Sequence, residues 1–380
     1  MQSTATDQFQ RYFEKMNFET DIASIVEKVE SFDPTKYGST RNFEDGAVSR
    51  LSPYISRGVI STQYIFESLS KKGFGLHNAY KFIQELAWRD YWQQVWIDKG
   101  HLIDEDLKHP QPEVEYHGIP ESIIEAKTGI EAVDRSIQFF YETGYIHNHM
   151  RMYLAAMACN VAKCHWCTPA KWMYYHLLDA DWASNALSWQ WVAGSNSNKK
   201  YYANQENINK FFNSKQQHTF LDLPYEVLTN SPVPAALKEI AEPSFTTALP
   251  AAPTFKLDSN RPTLIYNFYN LDPFWHKDKD VNRVLLLEPS IFEKYPVSEK
   301  SIQFMFDLSK NIEGIQTFVG SFDELVTQHE TTEIIYKEHP LNSHYRGLEE
   351  SRDWMFPVKG YFASFFGFWK KCEKSLKVTA

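Results

Sequence analysis

Apolar positions recur every three to four residues through much of the first 215 positions, and then the period changes. Segments 79–98, 130–143 and 147–167 carry this spacing most clearly and predict long helices. Residues 1–30 predict a lead-in helix, with Phe9, Tyr12, Phe13 and Met16 on one face. Over 216–260 the periodicity is lost, and Pro224, Pro232, Pro234, Pro243, Pro250 and Pro253 predict an extended linker. Beyond it, short β-prone runs at 263–266, 283–287, 316–319 and 333–336 alternate with amphipathic stretches at 299–312 and 322–328. Ser321-Phe322-Asp323-Glu324 opens the second stretch as a capping box. Strands alternating with helices predict a small parallel sheet. The expected fold class is mainly α: an all-helical domain over 31–215, then a small α/β parallel-sheet domain over 261–380.

Composition narrows the function classes. With 43% hydrophobic and 23% charged residues among 380, the chain reads as an ordinary globular protein. A net charge of −9 argues against nonspecific coating of nucleic acid. The acidity is uneven, however, and the nearly balanced stretch 31–215 leaves room for a local basic groove. The start Met1-Gln2-Ser3-Thr4-Ala5-Thr6 has neither a basic nor an apolar signal region. No apolar run approaches the roughly 20 residues that span a bilayer, and the aromatic run 361–369 is too short. A cytoplasmic location with reduced thiols is therefore expected for the four cysteines. Aromatics reach 16%, including 11 tryptophans, which suggests flat ligands or densely packed helices. Several tryptophans lie near the segment in which Asp179 and Asp181 precede Asn185, Trp189 and Trp191. Two carboxylates and an amide can hold a polar ligand from several sides, and an indole is easily oxidised. The competing explanation is a helix end packed with aromatics.

Six further blocks bear on that choice. Tyr37 with Arg41 is followed by Gly46-Ala47-Val48-Ser49-Arg50-Leu51-Ser52-Pro53-Tyr54 and Gly58-Val59-Ile60-Ser61. Glu85-Leu86-Ala87-Trp88-Arg89-Asp90-Tyr91-Trp92, Lys127-Thr128-Gly129 with Val133-Asp134, and Gly144-Tyr145-Ile146-His147-Asn148-His149-Met150-Arg151-Met152 complete the series. In order and spacing this helical half, from Tyr37 to about Tyr202, resembles the FAD-binding domain of the photolyase/cryptochrome family, nearest to cyclobutane pyrimidine dimer photolyases. Residues 263–355 resemble that family's α/β domain, which ordinarily comes first. A circularly permuted chain is thus expected, and separate cores joined by a linker make permutation tolerable.

The resemblance implies a U-shaped FAD, active in its reduced anionic form. Tyr37, Val48, Ser49, Arg50, Leu51 and Ser52 would hold its phosphates and ribityl chain, with Phe82 beside them. Arg89 and Arg151 would supply positive charge, one of them paired with Asp179, so that neither charge is buried alone. Asp179, Ala180 and Asp181 would bracket the flavin and adenine ribose, and Asn185 would face flavin N5. Glu85, Trp88, Asn148, Met152 and Trp191 match positions that grip a flipped-out pyrimidine dimer, with the two indoles receiving its apolar faces. Relatives that repair (6-4) lesions usually carry histidines where Asn148 and Met152 stand. Arg41 and His149 would contact DNA. Trp189 and Trp166 fall at the first two positions of an electron relay; the third aligns near Glu113, and Tyr116 is the nearest aromatic. The implied partner is damaged DNA, in single or double strands, bound by a monomer that does not enter membranes. An antenna pigment cannot be read from the sequence.

The bland alternatives are structural bracing for each ion pair and ordinary helix core for Trp88 and Met152. Cys159-x4-Cys164-x2-Cys167 reproduces a ferredoxin-type spacing, and Cys164-His165-Trp166-Cys167 could pass for half a zinc site. Buried core cysteines in a helix explain the same pattern, and no metal is expected. Lys199 and Lys200 could meet phosphates or merely solvent. The rival functions are a cryptochrome-like blue-light receptor without repair activity and a nonphotochemical flavoprotein.

Overall fold

The computed structural model describes residues 17–251, 256–329 and 333–378. The apolar face predicted from Phe9, Tyr12, Phe13 and Met16 lies outside them. Among the described residues no helix is long and apolar enough to cross a membrane.

The helical domain is built from α1 (Ile22–Ser31), α2 (Thr62–Lys71), α3 (Leu76–Lys99), α4 (Glu131–Thr143), α5 (Asn148–Ala156), α6 (Cys167–His176), α7 (Trp182–Ala193) and α8 (Gln205–Phe211). Helix starts follow from local chemistry: Asp21 caps α1 through Ser24 N, and Ser61 caps α2 through Tyr64 N. Helix α7 is apolar nearly all round and therefore central. It packs against α3, α5 and α6. The single helix expected over 147–167 is broken. After α5 the chain makes a π turn, Met157–Val161, and Lys163 takes φ 58°. Cys164 then pairs in an extended bridge with Tyr116. Both sides of the break are buried, so the apolar spacing continued through it and concealed it.

The proline-rich stretch is not a free tether. Its strand β2 (Ile240–Ala241) pairs antiparallel with β1 (Ile119–Pro120) on the helical domain. Beyond it come β3 (Thr263–Tyr266), β4 (Asn282–Leu287), α9 (Pro289–Lys294), α10 (Glu299–Ser309), β5 (Ile315–Val319), α11 (Phe322–His329), β6 (Ile334–Lys337), β7 (Leu348–Glu350) and α12 (Phe365–Val378). The five strands β3–β7 form one parallel sheet in the order β5-β4-β3-β6-β7. The fold is thus mainly helical with a small parallel-sheet region, as expected. The capping box forms: Ser321 Oγ accepts from Glu324 N at 3.2 Å, and Ser321 N donates to Glu324 Oε2 at 2.6 Å.

Alternation along the strands decides what each sheet face meets. Leu264, Tyr266, Leu285, Leu287 and Ile335 join one core with α10 and the helical domain. Ile265, Val284, Leu286, Ile334 and Tyr336 meet Phe322 and Leu325 of α11 on the other face. Gly58 marks the close approach between the two parts: it has φ 65°, and a Cβ there would lie 2.6 Å from Tyr269 O. Next to it Arg57 is fully buried, with its guanidinium carbon 3.4 Å from the Phe268 ring centroid. Its Nη2 donates to the carbonyls of Asp179 (3.1 Å) and Ala180 (3.0 Å), and burial pushes its pKa down to about 10.

Replacing Arg57 by Leu would keep apolar contact with Phe268 but remove the donor to Ala180 O, while Asp179 O would keep only Ser56 Oγ. The expected outcome is a loss of about 3 kcal/mol in unfolding free energy, read from urea denaturation.

Candidate functional site

The loop between α6 and α7 draws three helices together through its two aspartates. Asp181 caps α7, accepting from Ser184 N at 2.9 Å. From α3 it receives Arg89 Nη1 at 2.7 Å and Gln93 Nε2 at 3.0 Å. Asp179 pairs with Arg151 of α5, whose Nη2 lies 3.0 Å from Oδ2. The two aspartate side chains are 5% exposed and the arginines 14% and 21%, so the acids are sealed and the arginines only partly so. Burial alone would raise the Asp179 pKa. The charges of Arg151 and Arg89, with hydrogen bonds from Arg151 and Ser52, outweigh it and hold the carboxyl below its ordinary value. Gly144 ends α4 with φ 68°, and a Cβ there would meet Leu178 at 2.7 Å. That close turn sets the start of α5 beside the aspartates, with Leu178 N donating to Gly144 O.

Tyr37 begins a one-turn helix, Tyr37–Thr40, packed on α3. Its ring meets Phe82 edge-on at 5.1 Å, and Phe82 is buried beneath it. Val48, Ser49, Arg50 and Ser52 are half-buried, whereas Leu51 is buried. Arg50 has φ 54° and bonds the buried Tyr145 hydroxyl. Asn185 is buried and donates from Nδ2 to Ala170 O at 2.8 Å; Ala180 is fully buried. The hydroxyls of Tyr37, Ser49 and Ser52, the cation of Arg50 and the two partly exposed arginines make a donor-rich set. That chemistry fits a diphosphate and the carbonyl edge of a flavin.

Outside this set lie the residues assigned to a lesion. Glu85 sits one turn before Arg89 on α3 and pairs with Arg41 at 3.6 Å. Burial raises its pKa against the pull of Arg41 and Lys81. Asn148 is exposed at the first turn of α5, and Met152 follows one turn on, half-buried. His149 approaches Asn42 O with Nδ1 at 3.0 Å and packs on Phe211, and burial lowers its pKa. Trp191 stacks on Tyr201 at 3.9 Å. Trp88 stacks on Phe365 of α12 at 3.7 Å with an interplanar angle of 8°. The sequence signal for Phe365 was the aromatic run 361–369, weighed only as a membrane segment. Trp369 anchors the same helix by donating to the Tyr80 hydroxyl at 2.9 Å.

Residues 82–225 match the sequence model for the FAD binding domain of DNA photolyase. Over those residues the helical domain is similar to the FAD binding domain of DNA photolyase. Deoxyribodipyrimidine photo-lyase of Streptomyces griseus is 30% identical over 175 residues, which cover 43% of this chain and 37% of the relative. The mitochondrial enzyme of Saccharomyces cerevisiae is 27% identical over 225 residues, covering 53% of this chain and 39% of the relative. The chain spans little more than a third of the length of these curated relatives. Among solved structures, a Synechocystis cryptochrome aligns at 22% identity with TM-score 0.45, covering 52% of this chain and 44% of its own. A class III photolyase from Agrobacterium tumefaciens aligns at 24% identity with TM-score 0.42, covering 50% of this chain and 44% of its own.

Within the helical domain Trp189 and Trp166 are buried, and Trp166 Nε1 donates to Asp106 Oδ1 at 2.8 Å. Glu113 is exposed with φ 59° and binds Lys200 at 2.6 Å, which leaves Lys199 as the outward lysine of that pair. The cysteines do not share a helix. Cys159 lies in the π turn, Cys164 in the extended bridge and Cys167 at the first turn of α6. All are free thiols, and burial pushes each upward, Cys164 to about 12. Among the described residues no group of three or more His, Cys, Asp or Glu is arranged to hold a metal ion.

One hollow, lined in part by Arg89, had no sequence signal. A cleft of about 520 Å³ opens where the helical domain meets the ends of β3 and β6. Those strands carry chain away in opposite directions, the usual place for a ligand on such a sheet. Asn270 Nδ2 and His339 Nε2 are buried in its wall without a hydrogen-bond partner. Asp90 lines it too, its pKa raised to about 6 by burial despite hydrogen bonds from Met355 N and Thr62.

Asp179→Asn would remove the charge that Arg151 faces. Because the Asp179 pKa is depressed in the folded state, its stabilisation is present above the ordinary carboxylate range and lost as pH falls through the folded value. The expected loss is about 2–3 kcal/mol at pH 7, shrinking below roughly pH 4, as read from urea denaturation at several pH values.

Proposed function

We propose that the protein is an FAD-dependent, light-driven DNA repair enzyme that acts on a flipped-out cyclobutane pyrimidine dimer. The observation that carries this reading is the placement of Glu85, Trp88 and Arg89 within five residues of α3, with Arg89 bonded to Asp181. One helix thereby joins a cation suited to flavin to an acid and an indole suited to a base.

When bound, reduced FAD supplies the light-driven electron that opens the cyclobutane ring and is returned afterwards, so no net oxidation occurs. The chain's residues bind and orient. Arg89 and Arg151 hold the flavin edge while Asp179 and Asp181 fix the guanidinium planes. Asn185, an amide, can hydrogen-bond a ring nitrogen without readily protonating it. Glu85, with its raised pKa, stays protonated over a wider range than an exposed acid and can donate to a pyrimidine carbonyl. The part of Trp88 left exposed and the side chain of Met152 offer apolar contact, and Asn148 a polar edge. In this reading the sheet domain is the family's α/β domain moved to the C-terminal side. The cleft at β3 and β6 is then the place for a second flat chromophore, with Asn270 and His339 as its polar contacts.

A blue-light receptor without repair is the second reading. One observation favours it: Phe365 already occupies a face of Trp88.

Reconstituted, fully reduced protein should split dimers in oligonucleotides under blue light and not in the dark. Flavin uptake and photoreduction with no splitting in either strand form would leave the receptor. Trp88→Ala should weaken dimer binding by about 1–3 kcal/mol, the worth of one stacked base. The yield should also fall as pH rises past the elevated Glu85 pKa, and Glu85→Gln, which keeps a donor, should flatten that profile.

A further inference from the structure

The aligned third relay position, near Glu113, has no tryptophan, yet the structure contains a continuous set of rings leading elsewhere. Trp166 lies 6.4 Å from Trp182, centroid to centroid, and Trp182 lies 5.6 Å from Tyr295 of the sheet domain. All three rings are buried, at 0%, 1% and 4% exposure. Each polar ring atom ends on a carboxylate. Trp166 Nε1 donates to Asp106, and Trp182 Nε1 donates to Asp104 Oδ1 at 2.7 Å. The Tyr295 hydroxyl donates to the same Asp104, at 3.1 Å from Oδ1 and 3.0 Å from Oδ2. Asp104 is itself 23% exposed and held by Lys294 at 3.0 Å, so it connects the buried phenol to solvent.

We propose that Tyr295 is the terminal electron donor of flavin photoreduction in this protein, reached through Trp166 and Trp182, with Asp104 as its proton acceptor. This rests on the flavin reading above. Trp189 would give one electron to photoexcited oxidised FAD and be refilled by Trp166, Trp166 by Trp182, and Trp182 by Tyr295. Tyr295 loses one electron inward and one proton outward, from its hydroxyl to Asp104, and becomes a neutral phenoxyl radical. An added thiol returns the electron and Asp104 the proton.

Geometry explains why the charge would stop there. An indole can hold the positive charge as a cation, and it then passes readily between neighbouring rings. A phenol releases its proton on oxidation, and the electron cannot return until the proton does. Trp96 lies beyond, 5.9 Å from Tyr295, but makes no hydrogen bond to a carboxylate among the described residues. Burial, with the charge of Asp104, holds the Tyr295 pKa well above its ordinary value, so the phenol is neutral before oxidation and its proton is available to leave.

The test is flash illumination of flavin-loaded, oxidised protein, read by transient absorption and electron paramagnetic resonance. The unsubstituted protein should give a tyrosyl signal. Tyr295→Phe, which keeps the ring, should replace it with a tryptophanyl signal that decays roughly tenfold faster, a change of about 1.4 kcal/mol in the return barrier. Asp104→Asn keeps a hydrogen-bond acceptor but cannot take the proton, and should give the same tryptophanyl signal. Identical radicals and lifetimes in all three proteins would overturn the proposal while leaving flavin binding intact. Failure to take up flavin, seen directly in the absorption spectrum, would instead overturn the reading it rests on together with it.

Discussion

Two carboxylates sealed from water on one short loop organise the molecule. Burying such charges is costly unless each is paired, and the cations come from different helices: Arg151 from α5 and Arg89 from α3. Asp181 also starts α7, so its charge lies at the positive end of the central helix. The loop's own carbonyls are held by Arg57, which in turn rests on Phe268. A few polar contacts therefore fix three helices and the sheet domain in one frame. Both arginine side chains stay partly exposed, at 14% and 21%, while they brace the loop.

The density of aromatic residues has more than one consequence. Along α7 and its neighbours the rings fill the core, and their polar atoms are satisfied by acids: Trp166 by Asp106, Trp182 and Tyr295 by Asp104. Close rings with carboxylate partners are also suited to passing charge. At the other side of α3 the rings of α12 close over Tyr80, Trp88 and Tyr91. That contact covers an indole which the family resemblance would leave to a base, so one face of Trp88 is spoken for before any ligand arrives.

The sheet domain contributes a hollow rather than a residue motif. Parallel strands diverging at β3 and β6 leave a space that the helical domain roofs, with Asn270 and His339 turned into its wall and unpaired. No spacing along the chain joins these residues to Asp90 or Arg352. Their meeting depends on how the two parts dock, and the docking depends on Arg57 and on the absence of a side chain at Gly58.

The sequence by itself determined what short-range physics can determine. Helical spacing gave α3 and α4, alternation gave the strands, and the Ser321–Glu324 cap formed as its residues require. The Asp179–Asp181 pair and its need for arginine partners were also legible, because burying a carboxylate is costly unless it is paired, whatever the fold. The tertiary structure decided which cation served which acid, broke the expected 147–167 helix where Cys164 bridges to Tyr116, and turned the 361–369 aromatics onto Trp88. It also brought Tyr295 to Asp104 across 191 positions of chain. Burial gives all such positions the same apolar signature in the sequence, so which buried ring meets which is settled only when the helices and the sheet pack.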